Sequence, residues 1–165
     1  MNYFYKEMKS PVGRLKLISD DHALVAVLWE NDPPMRVPLD EAAHDKNHPV
    51  LVQAEDELNE YFAGTRTRFS VPLNPHGTDF QKSVWMQLRK IPYGETRSYK
   101  DLAVAIGNPS ACRAVGAANG KNPLSIIVPC HRVIGSNGTL TGFAGGLEFK
   151  NYLLNLESPQ GSFVK

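Results

Sequence analysis

The sequence predicts an α+β protein in two parts, a small N-terminal domain built on an antiparallel sheet and a mostly helical C-terminal domain. Three observations carry this. Apolar and polar residues alternate through the first third of the chain, helical spacing replaces that alternation after Pro49 and dominates beyond Thr78, and the ionic character inverts between the halves. Residues 1–75 carry 8 Lys and Arg against 12 Asp and Glu, a net of −4, whereas residues 76–165 carry 10 against 5, a net of +5. With 165 residues, 42% of them apolar and 21% charged, the chain can bury on the order of 70% of its unfolded surface and needs no disulfide staple.

Tyr3 to Met8, Arg14 to Ser19 and Ala23 to Trp29 read as strands, separated by the turn-rich Ser10-Pro11-Val12-Gly13 and Ser19-Asp20-Asp21-His22. Glu30 to Asn47 is polar and Pro-containing and reads as a loop. Leu51, Ala54, Leu58, Tyr61 and Phe62 then fall at helical spacing after Pro49, with Gly64 where a helix would end. Arg66 to Pro72 reads as a further strand, and Asn74-Pro75-His76-Gly77-Thr78 as the boundary between domains spanning 1–75 and 76–160, with a tail at 161–165.

Beyond the boundary, Phe80, Val84, Trp85 and Leu88 mark an amphipathic helix stopped by Ile91-Pro92-Tyr93-Gly94. Ser98 with Asp101 forms a capping-box pattern opening a short helix through Ile106, closed by Gly107. Asn108-Pro109 supplies a capping residue and an N1 proline for a third helix running to about Asn119 and stopping at Gly120. The pair is a helix-turn-helix candidate. Arg113 lies among small residues (Ala111, Ala114, Gly116, Ala117, Ala118), which suit close approach to a nucleic-acid backbone and equally suit tight helix packing; spacing alone favours packing. Ser125-Ile126-Ile127-Val128 reads as a buried strand leading into Pro129-Cys130-His131-Arg132-Val133. Ser136-Asn137-Gly138 reads as a turn and Gly142 to Gly146 as a flexible loop. Leu147, Phe149, Leu153, Leu154 and Leu156 define a last helix ending near Glu157, ahead of a frayed Ser158–Lys165.

Chemistry concentrates in this second half. Between Lys82 and Arg132 stand eight basic residues and two acidic ones, a balance that fits a phosphate-facing surface and fits an ordinary solvated face as well. Cys112 and Cys130 are the two cysteines, and neither has the spacing of a zinc or dithiol site, so no metal and no cofactor are expected. Cys130 followed by His131 reads as a reactive thiol with a base beside it or as a small buried hydrophobe. In an extended segment the two side chains would point to opposite sides, so His131 would act through a turn or a bridging water. Glu157 sits in the last turn of its helix, where a carboxylate opposes the macrodipole and gains from another partner, a histidine being one. No run approaches roughly 18 continuous apolar residues, and Met1 to Ser10 lacks the apolar core of a signal peptide, so the expectation is a cytoplasmic protein that does not engage the membrane.

Pro129-Cys130-His131-Arg132-Val133, preceded by the run Ala114 to Pro123 (AVGAANGKNP) and by Ile91 to Tyr99 (IPYGETRSY), resembles the O6-alkylguanine-DNA alkyltransferases from about Thr78 to Glu157. The resemblance implies a ribonuclease-H-like N-terminal domain and a winged helix-turn-helix-like DNA-binding motif. It further implies direct-reversal repair, in which an alkyl group moves irreversibly from O6-alkylguanine, and from O4-alkylthymine in some members, to the protein's own cysteine. By position, Cys130 corresponds to the acceptor, His131 to the residue polarising it through a water, Glu157 to the acid orienting that histidine, and Asn122 to the brace of the active-site turn. Tyr99 corresponds to the tyrosine that assists the leaving guanine, and Arg113 to the finger entering the base stack. The resemblance also places Ser98, Tyr99, Ala114, Asn119 and Arg132 at the DNA, and Val133, Phe143 and Ala144 around the substrate base. The implied partner is double-stranded alkylated DNA, bound in the minor groove with the base flipped by a monomer. Phe143 and Ala144 stand where many members have tyrosine and serine, and Cys112 where alanine is more usual. A lesion-binding protein of the same fold without chemistry is the alternative; relatives of that kind replace the cysteine that Cys130 retains.

Overall fold

The computed structural model describes residues 2–135 and 143–158 and divides into two compact units, Met1–His76 and Gly77–Lys165. In the first unit, β1 (Tyr3–Met8), β2 (Leu15–Ser19), β3 (Leu24–Leu28) and β4 (Ala42–His44) form one sheet in the order β3-β2-β1-β4, and α1 (Pro49–Phe62) packs on it. β1 pairs antiparallel with β2 (Tyr5 opposite Ile18, Met8 opposite Leu15), and β2 antiparallel with β3. Tyr3, Ile18, Val25 and Ala26 form a buried cluster with Tyr5, Leu28, Leu39 and Ala42 against it. The α1 stripe of Leu51, Ala54, Leu58 and Tyr61 is fully buried, as its spacing predicts.

Two sequence expectations in this unit are corrected. The segment from Glu30 to Asn47 contains β4, which pairs parallel with β1, so the antiparallel sheet has a parallel edge. Three residues with an intermediate-to-exposed burial pattern carry too little alternation to announce a strand. Conversely, Arg66–Pro72 is no strand; at its end Leu24 N–H donates to Pro72 O at 2.8 Å, beside the isolated bridge of Leu24 with Leu73. The reason is a buried carboxylate. Glu57 on α1 accepts the backbone N–H groups of Ser70 and Val71 at 2.9 and 3.1 Å and the Ser70 hydroxyl at 2.6 Å, so these amides serve a side chain instead of a ladder.

The second unit is mostly helical: α2 (Asp79–Arg89), β5 (Arg97–Ser98), α3 (Tyr99–Ala105), α4 (Cys112–Gly120), a 3₁₀ turn (Cys130–Arg132), β6 (Val133–Ile134) and α5 (Leu147–Glu157). Thr78 and Gln81 close a capping box on α2, and Ser98 and Asp101 close one on α3. α2 is tied to α4 by the Trp85 indole, whose Nε1–H donates to Ala118 O at 2.8 Å. Gly77 makes room for that indole, because a Cβ there would lie 2.5 Å from Trp85 Cη2. α3 and α4 pack as the expected helix-turn-helix, with Gly107 at φ +81° in the turn. α4 starts later than its sequence suggests. Asn108 heads a turn, accepting from Ala111 N at 3.0 Å and from the Ser110 hydroxyl, and the N-cap is Ala111, with no side-chain cap. The Ser136–Gly138 turn, Gly142 and the tail from residue 159 lie outside the described residues. No described helix is long and apolar enough to cross a membrane.

Candidate active site

The expected strand over Ser125–Val128 is instead a chain of tight turns, all of it buried. Ile127 N–H donates to Ser125 O at 2.9 Å around Ile126, whose φ is +74°, a γ-turn in a region that β-branched residues avoid. Cys130 N–H then donates to Val128 O at 2.7 Å around Pro129 (φ −80°, ψ 66°), an inverse γ-turn that the proline ring favours. Asn122 clamps the series from inside: its Nδ2 donates to Val128 O at 2.8 Å and its Oδ1 accepts from Leu124 N at 3.0 Å. Strain of this kind costs on the order of 1–3 kcal/mol and persists where surroundings over-determine it. Here the burial of Leu124, Ile126 and Val128 and the Asn122 clamp do so.

The turns deliver Cys130, His131 and Arg132 into a 3₁₀ turn, not the extended segment the sequence suggests, so consecutive side chains fan around an axis instead of opposing one another. Cys130 is 5% exposed and His131 is fully buried. His131 Nε2 lies 2.7 Å from Glu157 Oε2 at the end of α5. Arg132 donates to the same carboxylate through Nε (2.7 Å to Oε1) and Nη2 (3.1 Å to Oε2), and through Nη1 to Ile91 O at 2.7 Å. Burial would raise the Glu157 carboxyl, but His131 and Arg132 outweigh it and hold the group down to about 2. Glu157 is therefore an acceptor, so Nε2 of His131 carries the proton it donates. Burial pushes His131 below the usual imidazole range despite Glu157, leaving a neutral ring whose Nδ1 lone pair has no partner among the described residues.

Gly94, at φ +84°, and Tyr93 close the far side of this cluster. A Cβ on Gly94 would come within 3.1 Å of Glu157 O, and the Tyr93 hydroxyl donates to Leu156 O at 3.3 Å while its ring faces the Arg132 guanidinium at 5.6 Å. The short β5–β6 ladder pairs Arg97 with Val133 and Ser98 with Ile134, which ties the start of the helix-turn-helix to the residue that follows the site turn. Tyr99, half-buried at the first position of α3, lies over α4: a Cβ on Gly116 would meet its ring at 3.8 Å. Arg113 and Ala114 are exposed on α4, and of the eight basic residues from Lys82 to Arg132 six are exposed and Arg97 is half-buried.

Of the residues expected at a DNA surface, two make internal hydrogen bonds and a third is buried. Arg132 is 6% exposed and its guanidinium is spent on Glu157 and Ile91, so it is a core residue. Asn119 is 5% exposed, and the Ser98 hydroxyl is used in capping α3 by accepting from Asp101 N. Val133 is fully buried, whereas Phe143 and Ala144 are half-buried before α5. Lys150, which the sequence reading passes over, is fully buried on α5. Its signal was available, since Lys150, Leu153, Leu154 and Glu157 share the buried stripe at i, i+3, i+4 and i+7, and two of the four are ionisable.

Fold and site together define a helix-turn-helix module with a thiol, an imidazole and a carboxylate at its core. Family models described as 6-O-methylguanine DNA methyltransferase match the chain twice, the ribonuclease-like domain over residues 3–75 and the DNA binding domain over residues 79–159. The chain belongs to this family. A methylated-DNA--protein-cysteine methyltransferase of Methanosarcina acetivorans is 48% identical over 155 residues, covering 93% of this chain and 97% of that protein. A constitutive protein of the same name from Bacillus subtilis is 46% identical over 161 residues, covering 95% and 96%. Among solved structures, that of Mycobacterium tuberculosis OGT in complex with DNA aligns with a TM-score of 0.85 at 45% identity, covering 98% of this chain and 97% of that one.

Proposed function

We propose that this protein repairs DNA by transferring a methyl or other small alkyl group from O6-alkylguanine to Cys130, once per chain. The observation that carries the reading is the buried hydrogen bond from neutral His131 to Glu157, in the 3₁₀ turn that begins at Cys130, in a chain whose relatives are named for this transfer. The Nδ1 lone pair of His131 takes the thiol proton, directly or through a water, and Glu157 stabilises the resulting imidazolium. The sulfur lone pair forms the S–C bond while the C–O6 bond breaks and its electron pair leaves with the guanine. Tyr99 donates the proton that neutralises the leaving base and regains one from solvent. The thioether left on Cys130 has no leaving group that water displaces, so turnover ends there.

DNA is the partner, and the finer geometry belongs to the same proposal. The alkyl carbon is hidden in the duplex, so the nucleotide rotates out through the minor groove and Arg113, exposed on a helix of small residues, fills the gap. Ala114 lets that helix lie close to the backbone, Asn119 supports it from its buried side, and Ser98 caps the helix that presents Tyr99. Asn122 braces the acceptor turn, Phe143 and the Ala144 backbone face the extruded base, and Val133, fully buried, supports the pocket from behind. We place the protein in the cytoplasm and read it as a monomer.

The test is mass spectrometry after incubation with duplex carrying O6-methylguanine. One added methyl unit on the peptide containing Cys130, saturating at one per chain, is expected, with Cys130→Ala retaining DNA affinity and gaining nothing. An unmodified Cys130 in folded, DNA-binding protein would overturn the proposal in favour of lesion recognition without chemistry.

A further inference from the structure

The groove between α2 and α3 is a surface that alkyl transfer leaves without a task. It has a volume of about 550 Å³, lies wholly within the second unit and is lined by residues of both helices and of the segments that flank them. It opens on the side of α3 away from α4. Tyr99 covers Gly116 of α4, whereas Lys100, Val104 and Ala105, which line the groove, stand roughly a quarter to two-thirds of a turn further round the helix. The floor is apolar, formed by Ile91 and Leu102 at 3% exposure each, and Val104 on the rim is 53% exposed. Met86, one turn before Lys90, is likewise 53% exposed. Apolar side chains left in water around a recess, with polar groups at its edge, mark an interaction site.

The charges on the rim say what the recess fits. Lys90, Arg97 and Lys100 supply the cations. The acid in the lining, Asp101, is engaged by Ser98 N at 2.8 Å in the capping box of α3, and Arg97 is held by Glu95 at 3.1 Å and by Thr96 O at 2.8 Å. Lys90 and Lys100 are exposed, and neither enters a salt bridge among the described residues. A nucleic-acid backbone suits this surface poorly, since it would set phosphates and sugars over Ile91, Leu102 and Val104 and desolvate them against groups that offer no hydrogen bond. An occupant with carboxylates for the two lysines and an apolar side chain for the floor satisfies both parts of the surface. We propose that the α2–α3 groove docks a segment of a partner protein in which acidic residues flank a large apolar side chain. The apolar side chain enters over Ile91 and Leu102 and supplies the affinity, while the carboxylates on Lys90 and Lys100 set the register and speed the encounter. Groove and Tyr99 lie on different sides of α3, so a docked partner leaves α4 open to DNA.

The docking does not depend on Cys130 chemistry, and its test runs on the full chain. A phage-displayed library of random peptides is selected on the immobilised protein, and a synthetic copy of the most enriched sequence is measured by fluorescence polarisation against the native chain, Val104→Asp and Lys90→Glu. Enriched sequences should set Asp or Glu around Leu, Phe or Trp. Val104→Asp puts a carboxylate on the apolar rim and should weaken the peptide at least about tenfold. Lys90→Glu should weaken it roughly fivefold, with a loss that shrinks as salt rises, and should regain affinity for a copy whose acids are replaced by lysine. Both positions are exposed, so melting curves should match the native chain and certify the fold. A saturating short duplex should leave the peptide bound. No enrichment, enrichment of peptides without acids, or affinity that Val104→Asp leaves intact overturns the proposal. Two further outcomes also overturn it: displacement of the peptide by duplex gives the groove to nucleic acid, and self-association that Val104→Asp abolishes gives it to a second copy of the chain.

Discussion

Replacing Glu157 with Gln keeps the shape of the side chain and removes the charge that organises the site. In the folded chain this carboxylate takes His131 Nε2 at 2.7 Å and Arg132 Nε and Nη2 at 2.7 and 3.1 Å, and its pKa is held down to about 2 against 4.5 for an unperturbed glutamate. A carboxylate whose folded pKa lies below its unfolded one contributes stability that is complete above the unfolded value and is lost as pH falls through the folded value. At about 1.36 kcal/mol per unit the depression is worth roughly 3 kcal/mol at pH 7. Unpairing a buried arginine by deleting its partner leads to a similar figure, roughly 3–5 kcal/mol. The same linkage leaves less than half of that, about 1.4 kcal/mol, at pH 3. Urea unfolding of the native chain and Glu157→Gln at half-unit steps from pH 7 to pH 3 measures the difference. It should be about 3 kcal/mol at neutral pH and shrink steadily below pH 4.5. A gap under about 1 kcal/mol at pH 7, or one that stays constant to pH 3, would refute the view that an ionised Glu157 anchors His131 and Arg132.

Two other substitutions test the scaffold and the finger. Gly77→Ala places a methyl group 2.5 Å from Trp85 Cη2, and the indole is held by its hydrogen bond to Ala118 O, so the clash should cost about 1–3 kcal/mol and lower the melting temperature by roughly 2–4 °C per kcal/mol; an unchanged melting curve would show that the indole has room to move. Arg113→Ala should slow transfer from duplex DNA at least roughly tenfold, since unstacking a base costs a few kcal/mol, while leaving iodoacetamide modification of Cys130 unchanged. Equal losses in both assays would mean that Arg113 supports the site and not the extruded base.

Much of this protein was legible in its sequence, and the legible parts are those set by local rules. The apolar stripe of α1, the Ser98–Asp101 capping box, the stop at Gly107 and the end of the last helix at Glu157 each follow from a few neighbouring residues. Residue type and order around Cys130 and His131 left a reactive thiol and a buried hydrophobe both open, and only the resemblance of that run to a known family favoured the first. Tertiary structure decided what depends on distant partners. Glu57 reached across from α1 to take the amides of Ser70 and Val71 and thereby cancelled a strand. Asn122, with the burial of Ile126, forced apolar residues that read as a strand into consecutive tight turns. Arg132 looked like one more cation of a basic surface until Glu157 and Ile91 drew it into the core, and Lys150, which drew no attention in the sequence, is turned inward on α5. The common physical reason is desolvation: whether a charge or an amide faces water or a buried partner depends on groups far along the chain, and no local pattern records it.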